Sequence, residues 1–130
     1  MRSHLAGLVI GLGVLVACGS STSPYGGGGG GGGGGCTPTA TKACTVAGNQ
    51  FSPVTLTVSV GATVTWQNGD GGAHTVTNAS GSADTYDLNL PAGGTASHLF
   101  NTAGTYNYYC KNHGINGAPP TGMHGTITVQ

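Results

Sequence analysis

Polar and apolar residues alternate along much of the second half of the chain. In "VTLTVSV", Val54, Leu56, Val58 and Val60 share one parity and Thr55, Thr57 and Ser59 the other, which predicts a strand with one buried face. Gly61 breaks the run, and "ATVTWQN" resumes it with Val64 and Trp66 inward. "AHTVTN" puts His74 on the parity of Val76, and "GTYNYYC" puts Tyr106, Tyr108 and Cys110 on one side. "TASHLF" places His98 with Ala96 and Phe100, as a packed or hydrogen-bonded position. The last run, "GTITVQ", turns Ile127 and Val129 inward, and a first strand is expected around Ala43 to Ala47. Turn-forming clusters ("NGDGG", "PAGG", "NTAG", "NGAPPTG") separate these runs. About seven to eight short strands at this spacing predict an all-β sandwich. The segment from Ala79 to Pro91 reads as the long irregular piece, with room for a helical turn at most.

The first residues follow a different pattern. "MRSHLAGLVIGLGVLVAC" has a positive start at Arg2 and an apolar run from Leu5 to Ala17, shorter than the roughly 20 residues that span a bilayer. It reads as an export signal, residues 1–18. Its end, Leu15, Val16, Ala17 and Cys18, resembles the bacterial lipobox, which implies a lipid on Cys18 and a place in the bacterial cell envelope, facing the periplasm or the exterior. Ten glycines, Gly26 to Gly35, follow shortly after. Residues 19–35 are expected to form a flexible tether with a reach of about 20–25 Å, leaving residues 36–130 as the folded domain.

Composition narrows the partners. The 130 residues hold three Lys or Arg and three Asp or Glu, all three of the latter Asp. No basic patch can be assembled from them, so nucleic acid is excluded as a partner. Export permits disulfides. Cys36 and Cys44, eight apart, are the economical pair; two free thiols or an intermolecular bridge are the alternatives. With Cys36 and Cys44 paired, Cys110 remains as an odd thiol with its own purpose to explain.

Cys110 has company. His74 starts one expected strand, Cys110 ends another, and His113 and Met123 lie in the connection to the last. A thiolate, two imidazoles and a thioether form a soft donor set, and trigonal His₂Cys with a weak axial Met is the blue-copper arrangement. In longer context, "FNTAGTYNYYCKNH" resembles the F-x-x-x-G-x-Y-x-Y-x-C-x-x-H pattern of the cupredoxins of the plastocyanin and azurin kind. "FSPVTLTVSVGATVTWQN", "HTVT" and "GMHGTITV" resemble other strands of that family. The resemblance covers most of residues 51–130. It implies a Greek-key β-sandwich with one type 1 copper ion, and His74, Cys110, His113 and Met123 as its ligands. Nine residues separate His113 from Met123, more than in most such proteins, and His124 stands next to Met123 with opposite parity. The family also suggests that an Asn near the first histidine, here Asn68, ties the ligand loops together. Asp70 and Asn112 read equally well as turn residues.

The implied function is single-electron transfer between redox partner proteins by a membrane-tethered monomer that is not an enzyme. Electrons would pass at the edge of His113, within a docking face made of Gly114, Ile115, Ala118, Pro119 and Pro120. A copper storage or delivery protein without electron traffic is a second reading of the same residues. A structural sandwich at the cell surface is a third.

Overall fold

A computed structural model describes residues 35–130. The export signal, Cys18 and the tether up to Gly34 lie outside the described residues.

The described chain forms nine strands: β1 (Lys42–Val46), β2 (Gln50–Ser52), β3 (Thr55–Val58), β4 (Ala62–Asn68), β5 (His74–Asn78), β6 (Asp87–Leu90), β7 (Thr95–Phe100), β8 (Gly104–Ile115) and β9 (Thr121–Val129). They build two sheets, ordered β2-β1-β4-β7 and β3-β9-β8-β5-β6. β1 pairs with β4 in parallel, as β3 does with β9, while the other pairings are antiparallel. The long crossovers these parallel pairs require make the sandwich Greek-key rather than up-and-down.

Alternation correctly oriented the central strands. Val64, Trp66, Ile127, Val129, Tyr106, Tyr108 and Cys110 are all buried. It overreached at the ends: β3 holds only four residues, and Val54 and Val60, just outside it, are about half exposed at 49% and 51%. The segment from Ala79 to Pro91 has no helical turn and contributes β6, which pairs with β5 from His74 opposite Leu90 to Thr77 opposite Asp87. His98 packs its ring on Tyr86, with centroids 4.4 Å apart, and meets the Asp84 carboxylate at 2.8 Å.

Aromatic rings join the two sheets. Trp66 and Phe100 on one sheet meet Tyr108 and Tyr106 on the other, with centroids 5.3 and 4.8 Å apart, and Phe51 reaches Tyr108 at 4.9 Å. Edge-on packing of this kind adds about 0.5–1.5 kcal/mol per pair beyond the buried area. Tyr106 and Tyr108 thus anchor β8, the strand that carries Cys110 and His113, to the facing sheet.

Cys36 and Cys44 are joined by a disulfide with their Cα atoms 5.8 Å apart. A loop this short stabilises by about 2–3 kcal/mol in the chain-entropy account. Its placement matters as much: Gly69, which opens the loop before His74, lies against the Cys36 side chain. The crosslink thus supports the loop that enters β5.

Candidate metal centre

His74 Nδ1, Cys110 Sγ and His113 Nδ1 converge. The two nitrogens are 3.2 Å apart, and the sulfur is 3.7 Å from His74 and 3.6 Å from His113. A point equidistant from all three, in their plane, lies about 2.0 Å from each, within the range of metal–nitrogen bonds and slightly short of metal–sulfur bonds. His74 and Cys110 are buried, and His113 is exposed.

Local backbone geometry explains how residues three apart on one strand reach the same point. β8 and β9 pair regularly up to Tyr109 opposite His124 and resume at Gly114 opposite Gly122. Between these pairs, four residues of β8 (Cys110 to His113) face the single residue Met123. This bulge re-aims His113, which strict alternation would have sent away from Cys110. Contrary to the sequence expectation, Cys110 does not end its strand, and His113 and Met123 lie within β8 and β9 rather than in their connection. Met123 occupies the mouth of the bulge and is 1% exposed. The closure is tight: Gly122 has φ +73°, and a Cβ there would lie 2.7 Å from the His113 carbonyl oxygen. A side chain is disfavoured at that position on both counts.

Hydrogen bonds fix the two ligand-bearing segments to each other. The Thr75 N–H donates to Cys110 Sγ at 3.4 Å, and Thr75 Oγ1 accepts from the Lys111 N–H at 2.9 Å. The Thr75 hydroxyl thereby replaces the main-chain ladder beyond Tyr109 and frees its own N–H for the sulfur. Thr75 and Thr77 hydroxyls are 3.0 Å apart, and Thr77 donates to Asp87, which also pairs with the Lys111 ammonium at 2.6 Å. Asn112 Nδ2 donates to the Ala73 carbonyl at 3.0 Å. Asn68 works one layer behind. Fully buried, it accepts from Thr45 and the Asp70 N–H, and donates to the carbonyls of Gly72 and Leu90. It organises the loop before His74 and makes no hydrogen bond to the Cys110 segment, so the tie between ligand loops falls to Thr75 and Asn112.

Asp70 is the polar neighbour of His74 that sequence reasoning passed over. Its two carboxylate oxygens lie 2.8 and 2.9 Å from His74 Nε2. Partial burial raises the carboxyl's affinity for a proton, but hydrogen bonds from His74 and the Gly72 N–H outweigh it and hold the group below the usual carboxylate value. An ionised carboxylate accepts, so His74 Nε2 carries the ring proton and Nδ1 presents its lone pair towards Cys110 and His113. The only hint in the sequence was an acid four residues before the histidine.

The face around His113 is partly as expected. Ile115 is 70% exposed, and Ala118 and Pro119 are exposed. Pro120 is a correction: it is buried, because the connection folds back on itself, with Gly117 against the Pro119 carbonyl, before β9 begins at Thr121. His124 points away from the core, and its Nδ1 lies 2.8 Å from the Gly122 carbonyl oxygen.

The donor set fits copper. Thiolate and imidazole together satisfy both of its common oxidation states. Comparisons with known proteins agree. Residues 40–130 match the family described as copper binding proteins, plastocyanin/azurin family. A plastocyanin of Scenedesmus fuscus is 41% identical over 90 residues, covering 62% of this chain and 86% of that protein. The solved purple cupredoxin of Nitrosopumilus maritimus superposes with a TM-score of 0.56 at 26% identity, covering 69% of this chain and 99% of the other. The copper-containing nitrite reductase of Thermus scotoductus SA-01 superposes with a TM-score of 0.59 at 25% identity, covering 73% of this chain but 23% of the reductase. With the family match spanning residues 40–130 and two imidazoles and a thiolate gathered on a nine-strand sandwich, the chain belongs to the plastocyanin/azurin family of copper-binding proteins.

Proposed function

We propose that the protein is a type 1 copper electron carrier in which His74, Cys110 and His113 hold one copper ion and Met123 is the weak axial donor. The observation that carries this reading is the convergence of two Nδ1 atoms and one Sγ within 3.2–3.7 Å, with one of the rings exposed. Copper bound there supplies a one-electron couple. The chain's own part is to hold the donors still. Cys110 is fixed by the Thr75 N–H, His74 by Asp70, and Met123 by the core, so little has to move when the charge changes. Four protein donors leave no open position for a substrate, which argues against catalysis at the metal.

Electrons enter and leave at the His113 edge. Ile115, Ala118 and Pro119 form the small apolar surface on which a redox protein docks briefly, and the near absence of charge makes steering weak. Cys18 carries a lipid, and residues 19–35 tether the domain of residues 36–130 to a membrane of the bacterial cell envelope, facing the periplasm or the exterior, where it works as a monomer. The support for this anchoring is the lipobox-like "LVAC" and the glycine run.

Loading the protein with copper(II) tests the function. One ion per chain, an intense visible band, bleaching by one electron equivalent and fast self-exchange are expected. Copper uptake without rapid reversible cycling would instead indicate storage or delivery. The absence of both band and uptake would leave only a structural sandwich.

The axial position has its own test. Met123 is buried opposite the bulge, whereas His124 bonds back to its own turn. Met123→Leu should retain the band and raise the reduction potential, because loss of a weak donor destabilises copper(II). His124→Ala should change neither. Voltammetry and absorption spectra of both variants check this; a large spectral shift in His124→Ala with Met123→Leu silent would move the axial role to His124.

A further inference from the structure

Resting on the copper reading above, we propose that Asp70 is a positioning residue that sets the tautomer of His74 and holds the reduction potential of the site down through its charge. The two histidines are not equivalent. His113 is exposed, and no hydrogen-bond partner for its Nε2 is found among the described residues. His74 is 2% exposed, and its Nε2 faces both oxygens of a carboxylate. Asp70 is itself held in place: its N–H donates to Asn68 Oδ1 at 3.1 Å, and its Oδ1 accepts from the Gly72 N–H at 2.8 Å. Asn68 in turn is anchored to β1 and β6 by Thr45 and the Leu90 carbonyl. The carboxylate is therefore a built feature of the loop rather than a surface acid that happens to lie nearby.

Two consequences follow. A full negative charge on Nε2–H makes the ring more electron-rich than a neutral acceptor would, which strengthens its donation to a metal at Nδ1. The same charge also favours the more positive oxidation state of the ion directly, through a short path of low exposure. Both effects stabilise copper(II) over copper(I). Few other charges compete, since the chain has only three acidic residues.

Asp70→Asn keeps the shape and one acceptor oxygen but removes the charge. In the copper-loaded full chain it should keep the visible band and shift the reduced-to-oxidised ratio at a fixed ambient potential by about tenfold towards copper(I), which is about 59 mV for a one-electron couple. Asp84→Asn removes an equal charge that touches no copper-site residue and should shift the ratio less than about twofold. The metal-free protein gives an independent readout: nitrogen NMR should find His74 protonated at Nε2, and Asp70→Ala should lose that single tautomer. If the wild type shows the band but Asp70→Asn moves the ratio no more than Asp84→Asn, or moves it towards copper(II), the inference is overturned. It is likewise overturned if metal-free His74 is protonated at Nδ1. A wild type without the band would instead defeat the copper reading itself.

Discussion

Cys110→Ser should abolish the intense visible absorption of the copper-loaded protein and leave the domain folded. The band of such a site comes from charge transfer between thiolate sulfur and copper(II), and Cys110 is the single sulfur in the trio of converging donors. A serine oxygen is harder and smaller. It withdraws from the point shared with His74 and His113 and remains protonated at neutral pH. Copper affinity should fall with the colour. The fold should survive because the strand around the residue is secured elsewhere. Tyr106 and Tyr108 remain packed, the Lys111 N–H still has Thr75 Oγ1, and the Thr75 N–H can donate to a hydroxyl. The stability cost should be about 1 kcal/mol, typical of exchanging one small buried group for a more polar one. Absorption of the loaded protein and a thermal melt of the metal-free form check the two halves separately. An intense band that persists in the variant would remove Cys110 from the ligand set.

His74, Cys110 and Met123 could be placed from sequence because each obeys strand parity. His74 aligns with Val76, Cys110 with Tyr108, and Met123 with Ile127, and all are buried as that parity requires. His113 does not obey it. Its place depends on the bulge opposite Met123, and alternation carries no information about a bulge. Its donor chemistry three residues after Cys110 and the cupredoxin pattern marked it, and parity did not. Strand ends were blurred for a related reason. Val54 and Val60 continue the alternation of β3, and their backbones still bond to Thr126 and Gln130, but their side chains lie beyond the covered face, so the pattern outlasts the burial. β6 was hidden because "DLNL" is short and buries only Leu90. Thr75 and Asp70 were illegible as site residues for a deeper reason. Their roles rest on where a loop brings a hydroxyl or a carboxylate in three dimensions, and many threonines and turn aspartates have no such partner.

Gly125→Ala should destabilise the protein by about 3 kcal/mol or more, and Gly125→Val should prevent stable folding. Backbone freedom is not the reason, since Gly125 sits in regular pairing opposite Tyr108. The reason is contact. A Cβ on Gly125 would collide with both Cζ and the hydroxyl oxygen of Tyr108, and would lie 2.9 Å from Cε1. The ring cannot step aside. Tyr108 is fully buried, with Phe51 at 4.9 Å on one side and Trp66 at 5.3 Å on another. Relief must therefore come from β8 and β9 moving apart, which would strain the core and the bulge together. Gly125 is two residues from Met123, and Tyr108 is two residues from Cys110, so separation at this pair opens the metal-binding end as well. Denaturant unfolding of the metal-free variants measures the cost. Gly71→Ala, where an added Cβ meets nothing within 4 Å, is the control and should stay within about 0.5 kcal/mol of the wild type. A double-mutant cycle of Gly125→Ala with Tyr108→Leu should show a coupling of about 1–3 kcal/mol, because the smaller side chain vacates the space the new methyl needs. Additive effects in that cycle, or an unfolding midpoint of Gly125→Ala equal to the wild type's, would show that the two sheets yield at this point and that the ring on glycine is not what locks β8 to β9.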